Sequence, residues 1–230
     1  MAGDKIDMFL VGITGGIASG KTEVARVFKK LGATVISGDE LGQEVVKKNK
    51  LVLRRLVRVF GKVILNKNGS LNRKRLGRLA FFSRSNVRKL NSIVHPYLLS
   101  SLKRQIKKLE RSRDIVAVDA ALIVEWGIQK QFDLLILVDS RRKNQIERFC
   151  SSRKYSSRIG REIIRCQLPK KSKIIYADLV IANNGNLKQL RDKARQVWSI
   201  IFALSRKKKK RTIPKNRTWK EGSVCPNSGS

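Results

Sequence analysis

Eight consecutive residues, Gly15, Gly16, Ile17, Ala18, Ser19, Gly20, Lys21 and Thr22, carry the spacing G-x-x-x-x-G-K-T. The chemistry of that spacing is phosphate binding. Glycines at the bends let successive backbone N–H groups turn toward one anion. The lysine reaches the outer phosphates of a nucleoside triphosphate such as ATP, and the threonine hydroxyl is placed to ligate Mg²⁺. Glu23, next in line, is counted with this nucleotide-binding segment.

Further candidates lie downstream. Asp39 follows an apolar run and points near the loop; a helix N-cap is its bland alternative. Asp119 ends another apolar run, where an acid either helps to hold Mg²⁺ or is the polar end of a strand. His95, the only histidine, stands before Pro96, and capping or packing suits it better than catalysis. Arg148 and Arg153 flank an expected helix end and suit a lid that closes on phosphates. In so basic a chain, a solvated basic face is the alternative. Asn183 falls in a turn after the last expected strand.

The elements needed to position these groups are legible. Residues 8–13, 33–37, 115–119, 134–138 and 178–182 are short apolar runs of the kind that forms buried strands. Residues 23–31, 141–151 and 187–204 have helical periodicity and lie between or after them. The expected fold is α/β: a doubly wound sheet of five parallel strands with the phosphate loop after the first. A helical insertion is expected at about 41–111, built from helices at 51–60, 72–82 and 85–94 and a short strand at 63–65. Pro96 is expected to open another helix, with His95 just outside it. Asp139 and Ser140 are expected to cap the helix that follows. A basic lid is expected at about 141–170, a phosphate-loop domain over 8–205, and a disordered basic tail over 206–230.

Composition narrows the class. The chain has 230 residues and a net charge of +35. Basic residues are spread over almost every segment and stacking aromatics are few, so nonspecific polyanion binding at low salt is expected rather than specific nucleic-acid function. No apolar run reaches membrane-spanning length and no secretory signal is visible, so a cytoplasmic protein is expected. Cys150, Cys166 and Cys225 are too scattered for a disulfide framework or zinc site.

The ordered motifs go further. Residues 14–22 resemble the loop of dephospho-CoA kinases. So do Gly69-Ser70-Leu71-Asn72-Arg73, Ile93-Val94-His95-Pro96 and Leu122-Ile123-Val124-Glu125. Gln145-Ile146-Glu147-Arg148, Arg153, Gln167, Ala177-Asp178, Asn183 and Gly185 follow in that family's order. The resemblance implies an ATP- and Mg²⁺-dependent kinase that phosphorylates the ribose 3′-hydroxyl of dephospho-CoA, the last step of coenzyme A synthesis. It implies that Asp39 is the base or positions the hydroxyl, and that Arg148 and Arg153 belong to the lid. His95, Leu122 and Glu125 would lie around the acceptor. The chain departs from the family pattern at Ala18, Ser37, Ala121 and Ile163. Rival readings are a kinase for another small acceptor, such as a nucleoside, and a nonenzymatic nucleic-acid binder on a kinase fold.

Overall fold

The computed structural model describes residues 8–110, 112, 114–153 and 156–210. Strand β1 (Phe9–Thr14) is buried along its whole length. A near-continuous apolar run of this kind forms when a parallel strand is covered on both faces. With β2 (Thr34–Ser37), β3 (Ile115–Asp119), β4 (Leu134–Asp139) and β5 (Leu179–Ala182), it makes an all-parallel sheet in the order β2-β3-β1-β4-β5. The five expected strands are all present.

Side-chain alternation along β1 sorts the core into two layers. Phe9, Val11 and Ile13 pack with helices α1 (Lys21–Lys30) and α9 (Leu187–Lys210). Met8 and Leu10 pack on the other face with Leu98, Leu102 and Ile106 of helix α5 (Arg84–Leu109). Helices on both faces of a parallel sheet complete the doubly wound arrangement.

The helical insertion has a core of its own. Helices α2 (Gly38–Lys48), α3 (Lys50–Phe60) and α4 (Arg73–Ala80) join α5 around Val46, Val52, Leu56, Leu76 and Ile93. Two expectations and one alternative reading fail in this region. Residues 63–65 do not form a strand: Lys62–Ile64 is a 3-10 turn. Arg75 donates to the carbonyls of Val63 and Leu65, at 3.4 and 3.2 Å, so a side chain takes acceptors that a strand partner would use. Pro96 does not open a helix but sits inside α5, with His95 buried beside it. Proline removes the N–H that would reach the Ser92 carbonyl; Ser92 and Pro96 are both exposed, a setting in which solvent can take the place of that donor. Nor does Asp39 cap α2. The cap is Ser37, whose hydroxyl accepts from the Glu40 N–H at 3.2 Å.

After β4 come α6 (Arg142–Arg153), α7 (Ser157–Arg165) and α8 (Lys170–Ile174). Ser140 spends its hydroxyl on the Asn183 carbonyl, and Asp139 pairs with Lys170 at 2.6 Å, in place of the capping role expected of them. The closing helix runs to Lys210, so Arg206 to Lys210 are helical rather than disordered. Lys208 reaches back to Asp133 at 3.0 Å and to the Met8 carbonyl at 3.2 Å. The rest of the expected tail, 211–230, and Cys225 with it, lies outside the described residues. Among the described residues, no helix is long and apolar enough to cross a membrane.

Candidate active site

The phosphate loop lies at the carboxyl end of β1, between β3 and β4, where the strand order reverses. Ligands of open parallel sheets bind at such points. The backbone shapes it first. At Gly15, with φ 148°, a Cβ would lie 2.2 Å from the Val138 carbonyl oxygen, so only glycine lets the loop cross β4 this closely. At Gly20, with φ 103°, it would meet Asn183 Nδ2 at 2.4 Å. Ala18 holds a left-handed φ of 53° despite its side chain. No side chain caps the α1 N-terminus, so its first-turn amides are open to an anion.

The loop is braced from behind. Asn183 Nδ2 donates to the Ser19 carbonyl at 2.8 Å. Arg148 donates to the Ser140 hydroxyl at 3.2 Å and to the carbonyls of Asn183 and Gly185 at 3.3 and 3.4 Å. The structure thus places Arg148 on the chain leaving β5: α6 starts just after β4 and carries it past carbonyls at the neighbouring strand end. Arg153 ends α6, and its side chain lies outside the described part. Glu23 also turns away, pairing with Arg26 and, at 2.7 Å, with Arg191 of α9. Its side chain ties two helices together and does not face the loop.

Three charged groups converge at adjacent strand ends. Asp119 is in register with Ile13 of β1 and Ser37 of β2. Thr22 Oγ1 donates to Asp119 Oδ2 at 2.9 Å. Lys21 Nζ donates to the Gly16 carbonyl at 2.9 Å. Burial pushes the Lys21 ammonium below its ordinary range, opposed by Asp119 and Asp39. Burial likewise pushes the Asp119 carboxyl up, opposed by Lys21 and the Thr22 hydrogen bond. Asp39 is exposed in the first turn of α2, close enough to act on both. Gly38 allows this placement, since a Cβ there would come within 2.9 Å of Ala120 Cβ. Asp119 and Thr22 offer hard oxygen ligands of the kind Mg²⁺ takes. Among the described residues, no cluster of three or more His, Cys, Asp or Glu could hold a metal by itself.

From Gly16 a cleft of about 1490 Å³ runs between α5 and the α6–α8 segment. Arg84, Arg88, Arg142, Arg165, Lys170 and Lys173 line it. Its acids are Asp139 and Glu125, and each is paired with a lysine. The walls are therefore net positive, and the space is larger in volume than a typical pocket for a drug-sized ligand. His95 and Glu125 line this cleft. Leu122 instead packs onto the core under α5. His95 stands edge-on to Trp126 at 5.6 Å between centroids, and burial lowers its imidazole to about 4, so it is neutral at physiological pH.

Two contacts lie beyond the sequence reading. Gln167 Oε1 accepts from the Ile17 N–H of the phosphate loop at 2.9 Å. Lys173, 2% exposed, joins Glu125 at 2.7 Å and donates to the Ala121 carbonyl at 2.8 Å. The order of motifs marks Gln167 without giving it a role. Nothing marks Lys173, one basic residue among 52.

A phosphate loop, a threonine–aspartate pair, an opposed carboxylate and a basic cleft on a doubly wound sheet define a small-molecule kinase. A family model described as "Dephospho-CoA kinase" matches residues 9–189. A dephospho-CoA kinase of Geobacter sulfurreducens is 34% identical over 196 residues, covering 85% of this chain and all of that protein. One from Fusobacterium nucleatum is 32% identical over 196 residues, with the same coverage. Among solved structures, TT1252 from Thermus thermophilus superposes with a TM-score of 0.67 at 25% identity, covering 84% of this chain and 98% of that one. Dephospho-CoA kinase from Campylobacter jejuni shares the fold, with a TM-score of 0.57 at 22% identity, covering 84% of this chain and 96% of that one. The chain belongs to the dephospho-CoA kinase family.

Proposed function

We infer that this chain transfers the γ-phosphoryl group of ATP to the ribose 3′-hydroxyl of dephospho-CoA, giving coenzyme A and ADP. The observation that carries the reading is that Lys21, under the influence of Asp119 and Asp39, bonds the carbonyl of Gly16, a residue that lines the basic cleft. Phosphoryl transfer needs positioning and charge neutralisation more than covalent help. The amides at the α1 N-terminus and Lys21 bind the β- and γ-phosphates. Their negative charge beside Lys21 favours its charged form, against the effect of burial. Thr22 and Asp119 would hold Mg²⁺, which would supply charge neutralisation when bound. Asp39 accepts the proton of the acceptor hydroxyl as that oxygen attacks. Arg142 and Arg165 face the cleft and neutralise the acceptor's own phosphates. Asn183 and Arg148 act through the loop, by holding the Ser19 carbonyl in place.

The reaction belongs in the cytoplasm, and the catalytic unit extends from residue 8 to the end of α9. The net charge of +35 supports weak, salt-labile polyanion binding beside the main activity. The test is ADP release with dephospho-CoA against a panel of nucleosides, for the wild type and Lys21→Ala. The expected result is preference for dephospho-CoA and near-complete loss in the variant without loss of fold. Equal turnover of a nucleoside would reassign the acceptor, and wild-type turnover in Lys21→Ala would remove the phosphate loop from the mechanism.

A further inference from the structure

Lysine and arginine are spread along the whole chain, but the acids are not. Residues 45–109 hold 19 of the 52 lysines and arginines and none of the 17 aspartates and glutamates. This stretch is the helical insertion: the end of α2, then α3, α4 and α5. All 19 basic residues except Lys103 are exposed. The insertion's core is apolar and needs no surface charge of one sign. The helices themselves are poorly served by it. None of α3, α4 and α5 has an acid in its first turn, and α4 begins Arg73-Lys74-Arg75 at the positive end of its dipole. Asn49, Asn72 and Ser83 cap the three with neutral side chains. Charge of one sign gathered on one lobe repels itself, and an anionic partner relieves that repulsion.

Two observations point to the partner's chemistry. The charges sit on four helices rather than along one amphipathic stripe. A flexible polyphosphate chain can follow such a surface, whereas a membrane surface takes up one apolar helix face. The turn joining α4 to α5 carries Phe82, 80% exposed and the most exposed large apolar side chain among the described residues. It lies in sequence between Arg78 and Arg84, both exposed. An exposed ring flanked by cations suits an unpaired base whose phosphates are held on either side. We propose that the helical insertion binds single-stranded nucleic acid without sequence preference, through phosphate contacts to its basic helices and base stacking on Phe82. This rests on the polyanion binding inferred above, to which it gives a location and a partner, and it is independent of the acceptor assignment.

The experiment measures binding of the full chain to a labelled oligouridylate of about 20 nucleotides over a range of salt concentrations. Three variants are compared with the wild type. The first carries Arg54→Glu, Arg58→Glu and Arg78→Glu in the insertion. The second carries Lys29→Glu, Lys188→Glu and Lys207→Glu, an equal change of net charge outside it; all six side chains are exposed. The third is Phe82→Ala. The insertion triple should lose about 10–100-fold in affinity, and its salt slope should flatten by about 2, as when three phosphate contacts to a single strand are lost. The outside triple should lose less than about threefold. Phe82→Ala should lose about 5–100-fold with the slope unchanged, as for one stacked base. Turnover with dephospho-CoA should hold in all three, which shows that each is folded. Equal losses in the two triples, or wild-type affinity in Phe82→Ala, would overturn the proposal and leave the polyanion reading standing. Binding of phosphatidylglycerol vesicles without binding of the oligonucleotide would do the same. Binding of neither at low salt would remove both.

Discussion

Asp39 is the residue on which the proposed chemistry turns. The Ser37 hydroxyl caps α2, so Asp39 has no capping role to lose. Asp39→Asn keeps the side-chain shape and should leave Tm near the wild-type value. Turnover with dephospho-CoA should fall by about 10²–10⁴-fold, the range for losing a general base, with KM for ATP little changed. Near-normal turnover would remove Asp39 from proton transfer. His95 carries a different expectation. Its folded imidazole is lowered to about 4 by burial, whereas an unfolded histidine titrates near 6.5. Between those values the unfolded chain binds the extra proton, so stability is full above about 6.5 and is lost as pH falls toward 4. The loss should amount to roughly 2–4 kcal/mol. Urea unfolding at a series of pH values checks it, and His95→Gln should flatten the profile in that window. An unchanged profile would mean that His95 gains a proton in the folded state as readily as in the unfolded one.

At the scale of elements, the revealing case is α5. A proline inside a helix costs a hydrogen bond and adds a clash with the carbonyl one turn back. Pro96→Ala should therefore raise stability by about 1–3 kcal/mol, less what proline contributes by restricting the unfolded chain. Chemical denaturation reads this directly; a destabilised variant would show that the surrounding core is packed around a bend at this point. The sequence supports the opposite reading of Pro96, as a helix start, because proline is common at first helical positions. What decides between them is the exposure of Ser92 and Pro96, a tertiary fact with no local signal. The strands are legible because each is a short apolar run ending in a turn or a polar residue, with Ser37, Asp119 and Asp139 as three of those polar ends. Ser37 and Asp39 are both good caps, and only the backbone at residue 37 shows which is used. Lys173 is illegible for a plainer reason: its chemistry comes from burial against Glu125, and charge alone does not report burial.

At the scale of the whole molecule, the end of α9 is part of the folded unit. Lys208 pairs with Asp133, itself 6% exposed at the side chain. Asp133 also accepts from the Leu10 N–H at 2.8 Å. The last helix is thus fastened to the start of the first strand. Ending the chain after residue 210 should leave stability unchanged, while ending it after Ser205 should cost about 1–3 kcal/mol, as when a buried acceptor loses its donor. Comparing the melting of the two truncations checks this; equal melting would show that the clasp contributes nothing.

The sheet order also bears on how the protein is made. β1 leaves the ribosome first yet ends at the centre of the sheet, and both its neighbours, β3 and β4, begin past residue 114. At about 5–20 residues per second, the most fully buried strand of the molecule must wait on the order of 5–20 s for its first partner. During that interval Phe9, Leu10, Val11 and Ile13 have no sheet to enter, and only the insertion, with its own core, can begin to fold. For this chain the vulnerable stage of life is synthesis, and the helical insertion lengthens it.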